Sequence, residues 1–133
     1  GIRDSGETGG HGDVYKGQAL TCAGEDVERM RAEYARRRLR LIDGLQKLGF
    51  AIRSKPVGAF YVLADARHMF KNGEKPDSLA LAYDILEKAH VGVTPGVDFG
   101  QRAEGYLRFS YASSLENIEE AMHRLGRYME NKL

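Results

Sequence analysis

Cysteine is almost absent from this chain of 133 residues, in which Cys22 is the only one. It has no partner for an intrachain disulfide and cannot supply a cysteine-rich zinc site, so a reducing compartment, the cytoplasm, is the expected location. Long apolar runs are missing as well. The opening Gly1-Ile2-Arg3-Asp4-Ser5-Gly6-Glu7 carries none of the apolar stretch of a secretory leader, and no window approaches the length of a membrane span. A membrane partner is not expected. Neither charge is in excess: 20 Lys and Arg stand against 19 Asp and Glu, a net charge of +1. No global field therefore draws the chain to nucleic acid, and any anion site has to be local.

Catalytic signatures are equally sparse. No Gly-x-x-x-x-Gly-Lys-Ser/Thr loop occurs, and His11, His68, His90 and His123 are too widely spaced for a metal motif, so they are expected at the surface. Cys22 has no base at a useful interval and reads as a small, half-buried hydrophobe. The stretch from Gly9 to Gly17 partly matches the phosphate-covering loop of protein kinases, but the first glycine of that pattern falls on Glu7. It reads as a flexible arm. No catalytic, metal or cofactor-binding residue is expected in this chain.

What is present is an ordinary globular balance, 42% hydrophobic and 29% charged, enough for one core. Residues 1–24 are glycine-rich and read as an N-terminal arm; residues 25–133 read as the folded domain. From Glu25 to Leu48, the spacing of Val27, Met30, Tyr34, Leu41, Leu45 and Leu48 predicts one long helix stopped by Gly49. Its stripe is broken at Arg37 and Arg38, inside an Arg36-Arg37-Arg38-Leu39-Arg40 run, so the middle should border something polar or another domain. Phe50-Ala51-Ile52 and Ala59-Phe60-Tyr61-Val62-Leu63 predict two strands of a hairpin around the turn Lys55-Pro56-Val57-Gly58. A helix capped by Asp77 or Ser78 should bury Leu79, Ala82, Ile85, Leu86 and Ala89. Val91-Gly92-Val93-Thr94 is a third strand, closed by Pro95-Gly96. In the fourth, Tyr106 to Tyr111, Leu107, Phe109 and Tyr111 belong to the core, and Tyr106, Arg108 and Ser110 point away. The capping box Ser113-Ser114-Leu115-Glu116 opens a last helix burying Leu115, Ile118, Met122, Leu125 and Met129. The expected fold class is α+β, an α/β two-layer sandwich in the order α-β-β-α-β-β-α, with a small sheet of about four strands covered by helices.

Several blocks taken together carry a more specific signal. Met30-Arg31-Ala32-Glu33-Tyr34-Ala35-Arg36-Arg37-Arg38, Gly49-Phe50, Lys55-Pro56-Val57-Gly58-Ala59-Phe60-Tyr61, Val91-Gly92-Val93-Thr94-Pro95-Gly96-Val97-Asp98-Phe99-Gly100 and Leu107-Arg108-Phe109-Ser110-Tyr111-Ala112 follow one another over residues 25–131. In this order they resemble the C-terminal small domain of class I/II (fold-type I) aminotransferases, which use pyridoxal phosphate. The resemblance implies transfer of an amino group between an amino acid and a 2-oxo acid. It implies that Arg108 binds the substrate's α-carboxylate and that Phe60 lines the substrate side of the cleft. It also implies that the large domain, with the cofactor lysine, is a missing partner, and that this chain alone is not catalytic. Ser54-Lys55 echoes a cofactor-lysine motif but falls in a block matching another part of the family. The alternative reading is a non-catalytic folded domain acting through self-association or partner binding. A homo-oligomer is expected, because faces made for a large domain would otherwise be left open.

Overall fold

The computed structural model describes residues 9–53 and 60–132, with residues 9–23 described by backbone alone. The expected turn at 55–58 lies outside the described residues, as do Ser54, Ala59 and the side chains of His11 and Cys22. The chain divides into two units, Gly1–Glu33 and Tyr34–Leu133. Among the described residues, no helix is long and apolar enough to cross a membrane.

Helix α1 runs from Gly9 to Lys47 and contributes to both units. It begins before Glu25, where the sequence reading starts the helix, and takes in residues 9–24 of the expected 1–24 arm. The glycines there each cost about 1 kcal/mol relative to alanine in a helix. No proline interrupts the stretch, and once a helix is nucleated each added residue brings its own hydrogen bond. In the first unit the side chains from Glu25 to Ala32 are exposed, with ion pairs Asp26–Arg29 and Glu28–Arg31. Val27 and Met30, expected in the buried stripe, are 47% and 46% exposed.

The second unit contains the core. Helix α1 ends in a Schellman motif: Phe50 N–H donates to the Leu45 carbonyl and Gly49 N–H to that of Gln46, both at 3.0 Å. Gly49 adopts φ +91°, which its lack of a Cβ permits. Phe50 and Leu45 are both buried, so the turn is also packed from inside. The motif takes up Phe50, the first residue of the expected first strand. Only the bridge Ala51↔Asp65 remains there, and among the described residues the sheet has three strands, not four.

These strands are β1 (Tyr61–Asp65), β2 (Thr94–Pro95) and β3 (Tyr106–Ser110). They lie in the order β1-β3-β2, antiparallel throughout, with β3 central. β2 starts later than expected. Helix α2 (Ser78–Ala89) ends at His90 in the left-handed conformation, and residues 91–93 carry the chain back to the sheet. Asp77 caps α2 by accepting from Ala80 N–H at 3.1 Å. Its buried face is Ser78, Leu81, Ala82, Ile85 and Ala89; Leu79 and Leu86, expected inside, are about half exposed. Helix α3 (Leu115–Lys132) buries Ile118, Met122, Leu125, Tyr128 and Met129. Its cap is Ser114, accepting from Asn117 N–H at 3.2 Å, not Ser113 of the expected box. Leu115 is only partly buried.

The three helices meet one face of the sheet in a single cluster. Leu41 and Leu45 of α1, Leu81 and Ile85 of α2, and Ile118 and Leu125 of α3 join Val62, Leu107 and Phe109. This is a two-layer α+β architecture. The sheet's other face keeps Tyr61 and Leu63 about two-fifths exposed.

Candidate functional site: an arginine on the open face of the sheet

Arg108 sits in the middle of the central strand. Alternation along β3 puts Leu107, Phe109 and Tyr111 into the core at 4% exposure or less, which turns Arg108 to the opposite face. Its register partners are Leu63 on β1 and Thr94 on β2. The guanidinium carbon lies over two rings, 4.0 Å from the Tyr61 centroid and 4.7 Å from that of Phe99. Nη2 reaches Thr94 Oγ1 at 3.4 Å. Among the described residues, no carboxylate lies within ion-pair distance of Arg108.

Two carboxylates on neighbouring segments, Asp65 and Glu104, are engaged elsewhere. Asp65 accepts from Arg67 Nε at 2.9 Å, from Arg67 N–H at 3.0 Å and from Arg53 Nη2 at 3.3 Å. The hydrogen bond from the Arg67 side chain outweighs burial and holds the Asp65 carboxyl at about 2. Glu104 accepts from Ser78 N–H at 2.6 Å and Gly105 N–H at 2.9 Å. Burial opposes its charge, but these bonds prevail and keep its carboxyl below the usual range.

The loop that carries Phe99 depends on a close backbone approach. A Cβ on Gly96 would lie 2.1 Å from the Ala103 carbonyl oxygen and 2.6 Å from that of Tyr106. Glycine therefore lets the two 3-10 turns, Gly96–Phe99 and Gln101–Ala103, fold onto the start of β3. Ser78, fully buried, accepts from Val97 N–H at 3.2 Å and ties this loop to the start of α2.

Phe60 and Arg108 are not brought together. Phe60 precedes β1 and sits on the alternation of Val62. Its ring meets Tyr34 at 4.9 Å and Tyr111 at 6.4 Å, on the core side of the sheet, and it is 48% exposed. The aromatic beside the guanidinium is its neighbour Tyr61. Alternation from Leu63 was enough to place Tyr61 on the open face; Phe99, in a loop, had no comparable signal. His68, His90 and His123 are exposed as expected. A groove of about 840 Å³ opens between α2 and α3, lined by Asp84, Lys88, Arg127 and Tyr128 among others. Its one carboxylate, Asp84, already accepts from the Tyr128 hydroxyl and pairs with Lys88 at 2.9 Å. That bonding keeps the Asp84 carboxyl low, while burial pushes the Tyr128 phenol up.

Comparison with known proteins identifies the family. The family described as aminotransferase class I and II matches residues 14–125. A putative aminotransferase, YugH, of Bacillus subtilis is 37% identical over 105 residues, covering 79% of this chain and 26% of that protein. An aspartate/prephenate aminotransferase of Thermus thermophilus is 44% identical over 104 residues, covering 77% of this chain and 24% of that protein. The crystal structure of an aromatic aminotransferase from Pyrococcus horikoshii superposes with a TM-score of 0.71 at 39% identity, covering 80% of this chain and 27% of that one. The chain thus spans about a quarter of the length of these relatives. On the family match and these relatives, the chain belongs to the class I and II aminotransferases.

Proposed function

We propose that residues 25–133 are the C-terminal small domain of an aminotransferase exchanging an amino group between an amino acid and a 2-oxo acid, and that Arg108 receives the substrate's α-carboxylate. The observation that carries this reading is a guanidinium on an open sheet face, packed on two rings and without an acidic partner among the described residues. A planar fork of N–H donors matches the two oxygens of a carboxylate, and a charge-assisted bond of this kind contributes roughly 1.5 to 3 kcal/mol. A millimolar dissociation constant needs about 4 kcal/mol, so this chain alone should hold a carboxylate only weakly.

Pyridoxal phosphate, the family's cofactor, does not fit the described residues around Arg108. Tyr61, Leu63, Thr94 and Phe99 include no amine to bind an aldehyde and no acid to pair with a pyridine nitrogen. The lysines Lys47 and Lys88 are paired with Asp43 and Asp84. In this reading the cofactor and its lysine belong to the remaining three-quarters of the relatives' length, and this chain supplies substrate binding without catalysis on its own. Phe60 contributes its exposed half to the rim of the domain, away from the guanidinium.

The test is a titration of the chain with acetate, followed at the Arg108 Nε–Hε resonance. A saturating shift in the tens of millimolar or weaker is expected, with methylammonium producing none. Arg108→Lys should abolish carboxylate selectivity, since an ammonium cannot form the two parallel bonds. No acetate response at Arg108 would overturn the assignment.

A second reading, association through an apolar surface, is favoured by one feature. Leu79, Tyr83 and Leu86 stand 46%, 65% and 50% exposed at helical spacing on α2. Light scattering showing a strict monomer at high concentration would count against a homo-oligomer.

A further inference from the structure

We propose that Tyr61 and Phe99 are positioning residues for Arg108, fixing the guanidinium so that its N–H edge is presented ready-oriented to a carboxylate. This rests on the reading of Arg108 given above and adds what holds the fork in place.

The two rings arrive from the segments that flank the central strand. Tyr61 begins β1, and Phe99 ends the turn that follows β2, so the guanidinium is met from both neighbours of β3. The ring-to-guanidinium distances of 4.0 and 4.7 Å are well inside the range of about 6 Å for cation–π attraction. The Thr94 contact, at 3.4 Å, is at the long end for a hydrogen bond and cannot define the orientation alone. Ring packing must do so.

The chemistry favours a carboxylate for a geometric reason. All five N–H donors of a guanidinium lie in its plane, so a ring over the plane leaves them free, whereas a carboxylate partner would occupy them. Aromatic packing therefore restrains this side chain without consuming its binding capacity. A ligand meeting a restrained fork forfeits less side-chain freedom on binding, which is how pre-organisation raises affinity. Tyr61 is 41% exposed and Phe99 50%, so both rings also border the opening where the ligand would sit.

The experiment uses the whole 133-residue chain and Arg Nε–Hε NMR relaxation. In the wild type, Arg108 Nε should be nearly as ordered as the backbone, and clearly more ordered than the exposed Arg102 and Arg127 in the same spectrum. Tyr61→Leu and Phe99→Leu should each loosen Arg108 and weaken acetate binding about threefold to tenfold, in keeping with cation–π strengths. Tyr61→Phe, which keeps the ring, should restore both properties. An Arg108 as mobile as Arg102 in the wild type overturns the proposal without any variant having to fold. So do leucine variants that bind acetate as the wild type does, or that leave Arg108 order unchanged. Loss of order in the leucine variants with no acetate response even in the wild type supports the positioning role while rejecting the carboxylate reading.

Discussion

Acid should release the end of β1, and Asp65 sets how much stability goes with it. Its carboxyl is held at about 2, against an ordinary value of 3.8, chiefly by the Arg67 side chain. As pH falls, the unfolded chain therefore takes up this proton first, and protonation favours unfolding. The stabilisation is complete above the ordinary value and is lost as pH falls through about 2. A displacement of nearly two pH units, at about 1.4 kcal/mol each, corresponds to roughly 2 kcal/mol. The carboxylate side chain is only 10% exposed, so water screens it little; Arg67 is 49% exposed, which makes the figure an upper one. Asp84 and Glu104 are shifted in the same direction, so the wild type should lose more than this group's share.

Asp65→Asn separates that share from the others. The variant keeps the shape of the side chain and the strand but not the charge. At pH 6 it should be less stable than the wild type by about 2 kcal/mol, and most of that gap should close by pH about 2.5. Urea unfolding followed by circular dichroism at several pH values measures both curves, with unchanged m-values showing that the same surface is exposed. Wild-type and variant curves that fall in parallel from pH 6 to pH 2.5 would refute the assignment of this stability to Asp65.

Gly96→Ala places a methyl group against two backbone carbonyls that cannot rotate away. It should cost about 3 kcal/mol or more in urea unfolding, and Arg108 should lose the Phe99 ring. Ser114→Ala should cost about 1 kcal/mol through loss of the α3 cap, whereas Ser113→Ala should be near neutral. A reversed ranking in thermal melts would return the cap to Ser113. Incubation with pyridoxal phosphate followed by borohydride reduction and mass mapping should label lysines sparsely and without preference. Stoichiometric capture at one lysine would show that this chain carries a cofactor site of its own.

Which parts of this fold were legible in the sequence follows from how local their causes are. Alternation in β3 depends on near neighbours only, and it correctly separated Leu107, Phe109 and Tyr111 from Arg108. The glycine stop at Gly49 and the Asp77 cap are likewise short-range. The face of α2 was read correctly at Ala82, Ile85 and Ala89 but wrongly at Leu79 and Leu86, because Leu79 and Leu81 both suit a helical stripe. The choice fell to Leu81 through packing that involves distant parts of the chain. Phe50 shows the same limit from another side: its β propensity predicted a strand, but the turn closing α1 uses its N–H and buries its ring. The site divides in the same way. Arg108 was visible from alternation and from its resemblance to a family motif. Phe60 was expected to line the substrate side of the cleft; it packs on Tyr34 and Tyr111, and its neighbour Tyr61, on the opposite alternation, is the ring that meets the guanidinium.

The contrast among the arginines explains why one of them is a candidate site and others are scaffold. Arg67 and Arg53 converge on Asp65, Arg124 pairs with Glu120, and Arg40 with Asp43 and Glu119. In each pair the fork is occupied by an anion of the chain itself, so a ligand carboxylate would have to displace one already in place. Arg108 is restrained differently: rings cover the guanidinium, and a hydroxyl at the long limit of bonding touches one end. Rings attract the cation through their faces without neutralising it. The strand can then carry a fixed positive charge on its open side and still offer that charge to an incoming carboxylate, which an internal salt bridge would not permit.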